Sequence, residues 1–256
     1  MDRSGRPDLY YTTFAIAGLQ ALDTDVPRDR IAAFLTSFGD GATLDFVHLS
    51  ALARCWAAIG KDRMPPGLDH TLLAKLESFR KTDGGYEGDA KLSHGTAYGA
   101  FVALGAYQDL GQNPPQPLKL IQSLKTLETP DGAWSNVPQA EVGATLATAG
   151  AVTLIRHLGF PVNERVGDWL LMRAHPQGGF LASPNAPMPD LLSTATALHA
   201  LAAMDRRLPS EIHERCLDFV DTLWSAEGGF HGHWADEHID SEYAFYGLLA
   251  LGHLSL

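Results

Sequence analysis

The sequence predicts an all-α protein in which about six helical hairpins stack into a closed ring, an α/α barrel, and three observations support this prediction. A Gly-aromatic signature recurs at an even period, helical segments flank each copy on both sides, and no alternating strand pattern is visible. The 256 residues divide into about six units of roughly 43 residues. Because a single hairpin cannot bury its apolar face, the units have to pack on one another.

The signature is a polar residue, a glycine, a second small residue and an aromatic residue. The glycines of successive copies are 48, 46 and 50 residues apart, which indicates an internal repeat. Glycine permits turns that other residues resist, so we expect the signature to have a structural role. The four copies are Asp83-Gly84-Gly85-Tyr86, Asp131-Gly132-Ala133-Trp134, Gln177-Gly178-Gly179-Phe180 and Glu227-Gly228-Gly229-Phe230.

Each repeat combines two kinds of helix. An amphipathic segment precedes each signature, and a segment rich in Ala, Gly, Leu and Thr follows it. The first kind is predicted for an outer layer and the second for an inner layer, where small side chains allow close packing. The amphipathic segments are 72–81, 117–127, 165–174 and 212–224. The small-residue segments are 11–22, 49–59, 96–106, 144–158, 193–204 and 243–254.

No linker divides the chain, so we predict one α/α domain spanning residues 1–256. Hydrophobic residues make up 45% of the chain and charged residues 19%, a composition that supports a large core. The two cysteines, Cys55 and Cys216, form no CxxC pair and lie in apolar helical segments. We therefore predict that both are buried free thiols.

The formal net charge of −11 argues against nucleic acid or an anionic membrane surface as a partner. The N-terminal residues show no signal-peptide pattern. The longest uncharged stretch, 142–155, has 14 residues, whereas a membrane span needs about 20. The sequence thus predicts a cytoplasmic protein with no integral membrane segment.

The repeat resembles, over nearly the whole chain, that of the prenyltransferase and squalene-cyclase repeat superfamily. Two stretches near the C-terminal end are the most specific part of this resemblance and are similar to the β subunits of protein prenyltransferases. The first runs from Gly178-Gly179-Phe180 to Asp190, and the second covers residues 237–247. The resemblance implies an α/α toroid whose central cavity holds an isoprenoid or similar hydrophobic small molecule. Since those β subunits work with an α subunit, a protein partner on the outer face of the ring stays open.

The resemblance also implies that the zinc site of the protein prenyltransferases is not retained. Asp190 stands at the position of their ligating Asp, but Leu192 and Tyr243 stand at the positions of the Cys and the His. A leucine cannot ligate zinc, and a neutral tyrosine is a poor ligand. Glu141 occupies the position of a His in their diphosphate clamp. We therefore expect a reaction other than zinc-dependent protein prenylation.

Polar residues at the starts of the small-residue helices are the main candidates for chemistry. A carboxyl group in a partly desolvated cavity can act as a general acid or stabilise a cationic intermediate, and aromatic faces can stabilise a carbocation. The candidate catalytic residues are His94, Glu141, Asp190 and Asp240. The candidate substrate-binding residues are Asp45, His48, Trp56, Tyr98, Glu242 and Tyr243. For each acidic residue the alternative is a helix N-cap, and for each aromatic residue it is core packing.

The segment 231–240 contains three His and two Asp residues, the densest set of potential metal ligands in the chain. His238 and Asp240, joined by Asp190 from the preceding repeat, are candidate ligands for a divalent metal. Their spacing matches no established metal motif, so the cofactor requirement stays unknown.

The favoured function is an enzyme, similar to a terpenoid cyclase or a prenyltransferase, that acts on an isoprenoid in the cavity. Two alternatives stay open. A toroid that has lost its catalytic groups would be a non-catalytic binding or scaffold protein. A carbohydrate-active α/α barrel would show exposed tryptophan platforms and two acids at a catalytic separation.

Overall fold

The computed structural model describes residues 4–255. Within this range the chain forms eleven α-helices, a short 3-10 helix (Lys61–Arg63) and one two-stranded antiparallel hairpin, which confirms the predicted all-α class. The helices are α1 (Leu9–Ala21), α2 (Arg28–Thr36), α3 (Phe46–Ile59), α4 (Leu68–Glu77), α5 (Ala97–Asp109), α6 (Pro117–Lys125), α7 (Thr145–His157), α8 (Arg165–Leu171), α9 (Leu191–Ala203), α10 (Ser210–Thr222) and α11 (Ser241–Leu254). The strands are β1 (Phe180–Leu181) and β2 (Pro189–Asp190).

Helices of the two kinds alternate along the chain. The odd-numbered helices match the six small-residue segments to within three residues at each end. The helices α4, α6, α8 and α10 overlap the four amphipathic segments, with α4 beginning and ending four residues before the predicted bounds. The sequence analysis missed α2, because no aromatic signature follows it to mark a repeat.

The expected absence of strands is wrong at one point. β1 and β2 pair with Phe180 opposite Asp190 and Leu181 opposite Pro189. Each strand has two residues, which is too short to produce an alternating pattern in the sequence. The pair forms where the loop after the third signature returns to the start of α9, and it thereby positions Asp190.

The chain divides into two compact units. The first comprises the chain up to Gly95 together with Gly99–Ser123, and the second comprises Thr96–Tyr98 together with the chain from Leu124 onward. The first unit thus contains α1 to α4 and most of α5 and α6, and the second contains α7 to α11 and the hairpin. One domain over residues 1–256 stays a prediction.

In the second unit the small-residue helices α7, α9 and α11 pack side by side in chain order. Small side chains such as Ala197 and Ala200, both fully buried, let the helix backbones approach closely. The amphipathic helices cover this row, with α8 packed on α9 and α10 packed on α11. This arrangement is the stacking of hairpins that the repeat predicts.

In the first unit α1 packs on α3, and α2 and α4 both pack on α3. A polar network holds α4 to its signature. Glu77 Oε1 accepts hydrogen bonds from the hydroxyls of Tyr86 at 2.5 Å and Tyr107 at 2.6 Å, and Arg80 Nε donates to Glu77 Oε2 at 2.8 Å. Because each buried polar group has a partner, the network stabilises the start of the repeat rather than costing free energy.

The aromatic residue of every signature is buried, as expected for a structural role. In the second unit, helix threonines fix two of these residues through the backbone. The N–H of Phe180 donates to Thr194 Oγ1 at 2.9 Å, and the N–H of Trp134 donates to Thr148 Oγ1 at 3.1 Å. The hydroxyls thereby satisfy buried N–H groups that would otherwise be left unpaired.

Cys55 and Cys216 are both buried and unpaired, which confirms their assignment as free thiols. Burial raises the pKa of each thiol to about 11, so both are unreactive near neutral pH. Among the described residues, no helix is both long enough and apolar enough to span a bilayer.

Candidate functional site

The adjacent N-terminal ends of α9 and α11 form the candidate site. Asp190 caps α9 and accepts hydrogen bonds from the N–H and the hydroxyl of Ser193, both at 2.7 Å. Asp240 caps α11 and accepts from the N–H of Tyr243 at 2.9 Å. An N-cap aspartate satisfies donors that the helix leaves unpaired. Both predicted catalytic aspartates therefore have a structural function.

The carboxyl group of Asp190 differs from an ordinary cap. Burial raises its pKa, and the two hydrogen bonds from Ser193 and the charge of nearby His233 offset only part of the rise. The N–H of Ala235 donates to Nδ1 of His233 at 3.1 Å, so a neutral His233 carries its proton on Nε2. A partly buried carboxyl group whose pKa is raised is suited to proton transfer.

The loop 231–239 covers the start of α9. The N–H of Leu191 donates to the carbonyl of Gly232 at 2.8 Å. The ring of Tyr243 lies against Gly232 so closely that a Cβ at this position would collide with the ring. Gly232 thus contacts both Tyr243 and the first residue of α9, Leu191. Glu242 is half-buried in the first turn of α11.

The candidate metal ligands do not form a cluster. His238 is exposed, and its Nδ1 lies 3.5 Å from the carboxylate of Asp236. Nowhere in residues 4–255 do three His, Cys, Asp or Glu side chains come together in a way that could hold a metal ion. Asp190 and Asp240 are each engaged at their own helix N-terminus.

In the first unit, His48 joins the caps of two helices. Its Nδ1 lies 2.9 Å from Asp45, the N-cap of α3, and its Nε2 lies 3.2 Å from Asp8, the N-cap of α1. Burial alone would lower the pKa of His48, but the hydrogen bonds and charges of Asp45 and then Asp8 outweigh it and raise the pKa. For Asp45, burial would raise the pKa, but hydrogen bonds from His48 outweigh it and lower the pKa.

The sequence analysis missed the role of Asp8. It directly precedes α1, which is the usual position of an N-cap, but it lies three residues before the predicted start at residue 11. The structure shows that Asp45, His48 and Asp8 form a clamp between α1 and α3. We call this group the cap clamp.

The remaining predicted site residues occupy varied positions. His94 lies in the loop before α5, with Nδ1 2.9 Å from the carbonyl oxygen of Gly95. Tyr98 is exposed in the first turn of α5, and Glu141 is exposed in the turn before α7. Trp56 lies in the core of the first unit, and its buried Nε1 has no hydrogen-bond partner in the described part of the chain.

A histidine pair between α9 and α11 was not predicted. His199 Nδ1 and His253 Nε2 lie 3.0 Å apart, which requires one ring to donate and the other to accept. Burial lowers the pKa of both, so the neutral forms are favoured. The two residues are 54 positions apart in the chain, and only the pairing of α9 with α11 brings them together.

Residues 147–254, most of the second unit, match the family model of the prenyltransferase alpha-alpha toroid domain. No curated protein sequence matches the chain. Solved structures give the fold of nearly the whole chain. Protein geranylgeranyltransferase-I from Candida albicans, complexed with GGPP, superposes with a TM-score of 0.74 at 12% identity. The superposition covers 96% of this chain and 83% of the geranylgeranyltransferase chain.

The fold is that of the prenyltransferase α/α toroid. The type II terpene cyclase MstE from Scytonema shares it, with a TM-score of 0.61 at 12% identity over 96% of this chain and 87% of that chain. The complex of a MstE variant with geranylgeranyl dihydroxybenzoate gives a TM-score of 0.61 at 13% identity, over 96% of this chain and 86% of the MstE chain. The resemblance inferred from the signatures is thereby confirmed, whereas identities this low establish the fold alone.

Proposed function

We propose that this protein is an enzyme that acts on an isoprenoid, or on a similarly hydrophobic small molecule, in the manner of the terpenoid cyclases and prenyltransferases. The observation that carries the proposal is the partly buried carboxyl group of Asp190, whose pKa burial raises, at the start of α9. Two proteins of the same fold are described in complex with GGPP and with geranylgeranyl dihydroxybenzoate, which supports the choice of substrate class.

In this proposal Asp190 is the general acid. In its protonated form the carboxyl group transfers its proton to one carbon of a substrate double bond, and the π electron pair forms the new C–H bond. A carbocation and the Asp190 carboxylate result. The N–H and hydroxyl of Ser193 then stabilise the carboxylate, since both already donate to it. Loss of a proton from the rearranged cation, which returns through solvent to the Asp190 carboxylate, restores the balance.

Thiolate activation by zinc, as in protein prenylation, is not part of the proposal. Leu192 and Tyr243 offer no thiolate and no imidazole beside Asp190. Tyr243 also packs its ring against Gly232. The residues at this site therefore suit proton transfer better than zinc coordination.

A non-catalytic isoprenoid-binding protein is the second candidate, and a specific observation favours it. Asp190 and Asp240, like Asp8 and Asp45 in the first unit, each accept a hydrogen bond from the backbone of their own helix. N-capping alone explains all four positions without any catalytic role.

Ligand binding separates these two candidates from a protein of unrelated function. We expect farnesyl diphosphate, geranylgeranyl diphosphate or squalene to raise the melting temperature by several degrees at saturating concentration, since a ligand of the native state stabilises it by mass action. A saturated C20 alkyl diphosphate controls for detergent-like effects of the chain and for the charge of the head group. If none of the three unsaturated compounds shifts the melting temperature and none is converted to product, the proposal is wrong.

A further inference from the structure

In the first three repeats, the amphipathic helix that follows contacts the signature. A Cβ on Gly84 would lie 2.6 Å from Lys119 Cβ in α6, and a Cβ on Gly178 would collide with the carbonyl of Arg215 in α10. In the second repeat Gly132 is exposed, and the contact is instead a hydrogen bond from Trp169 Nε1 in α8 to the signature residue Asp131. Each of these three signatures thus forms a packing site for the next helix in the chain, and we call such a site the seat of that helix.

The three seats differ in chemistry but share their position. Asp131 Oδ2 accepts the Trp169 bond at 2.8 Å, and in the first repeat Ser123 Oγ of α6 donates to Asp83 Oδ2 at the same distance. In the third repeat the ring of Phe219 packs on Gly179, where a Cβ would lie 2.7 Å from it. All three contacts come from the helix that follows in the chain.

The fourth seat is open. A Cβ on Gly228 would meet no atom within 4 Å, as is also true of Gly132, and one on Gly229 would meet Ile239 Cβ at 3.8 Å as its nearest neighbour in the described chain. The fourth signature differs from the second because no helix follows α11 within residues 4–255 to make a contact like that of Trp169 with Asp131. The φ angles of Gly178 and Gly228 are +94° and +89°, so the two turns have the same backbone form and differ in what covers them.

An apolar groove of about 530 Å³ lies beside the open seat, between α10 and α11. Trp224 is 57% exposed, Leu251 38% and Leu217 37%. Leu251 lies eleven residues after the cap Asp240, and the residue eleven positions after the cap Asp190, Leu201, is 1% exposed. The groove therefore exposes, at Leu251, a position that the preceding repeat buries. Its lining comprises Leu217, Asp218, Val220, Asp221, Trp224, Phe230, Leu248 and Leu251.

The charge around the groove selects the kind of helix that fits. Asp218 and Asp221 line it, and exposed Glu227 belongs to the open signature. With a net charge of −11, a second copy of this chain would bring like charges together. A helix with basic residues beside its apolar stripe would instead gain both burial and charge complementarity.

We propose that the α10/α11 groove binds an amphipathic helix of a partner protein, with apolar residues at helical spacing and lysine or arginine on the flanks. Its apolar stripe covers Leu217, Trp224 and Leu251, and its basic flanks face Asp218 and Asp221. This is helix-in-groove recognition, in which the partner supplies the helix that the repeat pattern places over the fourth signature. The inference is independent of the reaction proposed for Asp190.

A peptide based on α10 tests the proposal, because α10 is the helix that fits the preceding seat. The probe is a fluorescent peptide of residues 210–224 in which Glu211, Glu214, Asp218 and Asp221 are replaced by lysine. We expect the full-length protein to bind it with a dissociation constant of roughly micromolar order. Leu251→Lys, and separately Leu217→Lys, should weaken binding by about tenfold or more, while the exposed Leu118→Lys on α6 adds the same charge without effect.

Several results would overturn the proposal. They are the absence of binding at about 1 mM protein, equal binding to Leu251→Lys and Leu217→Lys, and equal binding of the unmodified acidic peptide. Sedimentation that shows a dimer dissociated by Leu251→Lys would assign the groove to a second copy. Shielding of Trp224 from acrylamide without any peptide, judged against Trp224→Phe, would assign it to the chain itself. Because the substituted leucines are partly exposed, unchanged circular dichroism spectra are expected for all variants.

Discussion

Four helices rich in small residues begin with an aspartate that caps them, namely Asp8, Asp45, Asp190 and Asp240. Local cap geometry does not distinguish a structural from a chemical role, since each carboxylate accepts a backbone N–H three residues ahead. The surroundings do distinguish them. Burial raises the pKa of Asp190, whereas the hydrogen bonds from His48 hold the pKa of Asp45 low against the effect of its burial.

The cap clamp makes the stability of the first unit depend on pH. Asp45 and Asp8 raise the pKa of His48 against the effect of its burial, so folding favours the charged imidazole. The stabilisation is fully present below the unfolded pKa of about 6.5 and is lost as the pH rises through the higher folded pKa. We expect the difference in free energy of unfolding between wild type and His48→Asn to shrink as the pH rises above about 6.5.

Urea denaturation at a series of pH values from about 5.5 to 8.5 measures this difference. His199 and His253 contribute an opposite trend, because burial lowers their pKa, but they are present in both proteins and cancel. A difference that stays constant, or that grows with rising pH, would contradict the clamp.

The repeat is defined more by the contact between each signature and the following helix, its seat, than by the individual helices. Gly178 and Gly228 occupy equivalent turns with φ near +90°, so a side chain at either position adopts the unfavourable left-handed backbone, at a cost of about 1–2 kcal/mol. Only at Gly178 does the new Cβ also collide with the following helix, through the carbonyl of Arg215. Overpacking of this kind costs roughly 1–3 kcal/mol more.

We therefore expect Gly178→Ala to destabilise the protein clearly more than Gly228→Ala. Chemical denaturation of the two variants and the wild type supplies the comparison, and each variant serves as the control for the other. Equal losses would mean that α10 does not press on the third signature as the structure shows, and they would remove the contrast on which the open fourth seat depends.

The fold of the whole molecule is predicted well from the sequence because each weak sequence pattern recurs in several repeats. Four glycine-aromatic signatures and the helical patterns around them determine the alternation of helices, and the resemblance supplies the toroid. The β1–β2 pair and α2 escape prediction. The pair has two residues in each strand, and α2 has no aromatic signature after it.

The candidate site is predictable only in part. The sequence singles out Asp190, Asp240 and Tyr243, and the structure places them at the adjoining ends of α9 and α11. Sequence patterns do not reveal that burial raises the pKa of Asp190, since the loop 231–239 returns over the start of α9 only in the folded chain. The pairing of His199 with His253 likewise depends on tertiary packing.

The conversion of isoprenoid substrates by Asp190→Asn tests the central claim most directly. Asparagine caps a helix about as well as aspartate but has no acidic proton, so the variant should fold normally and bind the substrate. The measurement is product formation from geranylgeranyl diphosphate, farnesyl diphosphate and squalene by mass spectrometry, with Asp8→Asn as a cap variant in the other unit. We predict turnover by wild type and Asp8→Asn and a loss of about 10²-fold or more in Asp190→Asn. Equal turnover by Asp190→Asn and wild type, or binding without turnover in all three proteins, would contradict the account.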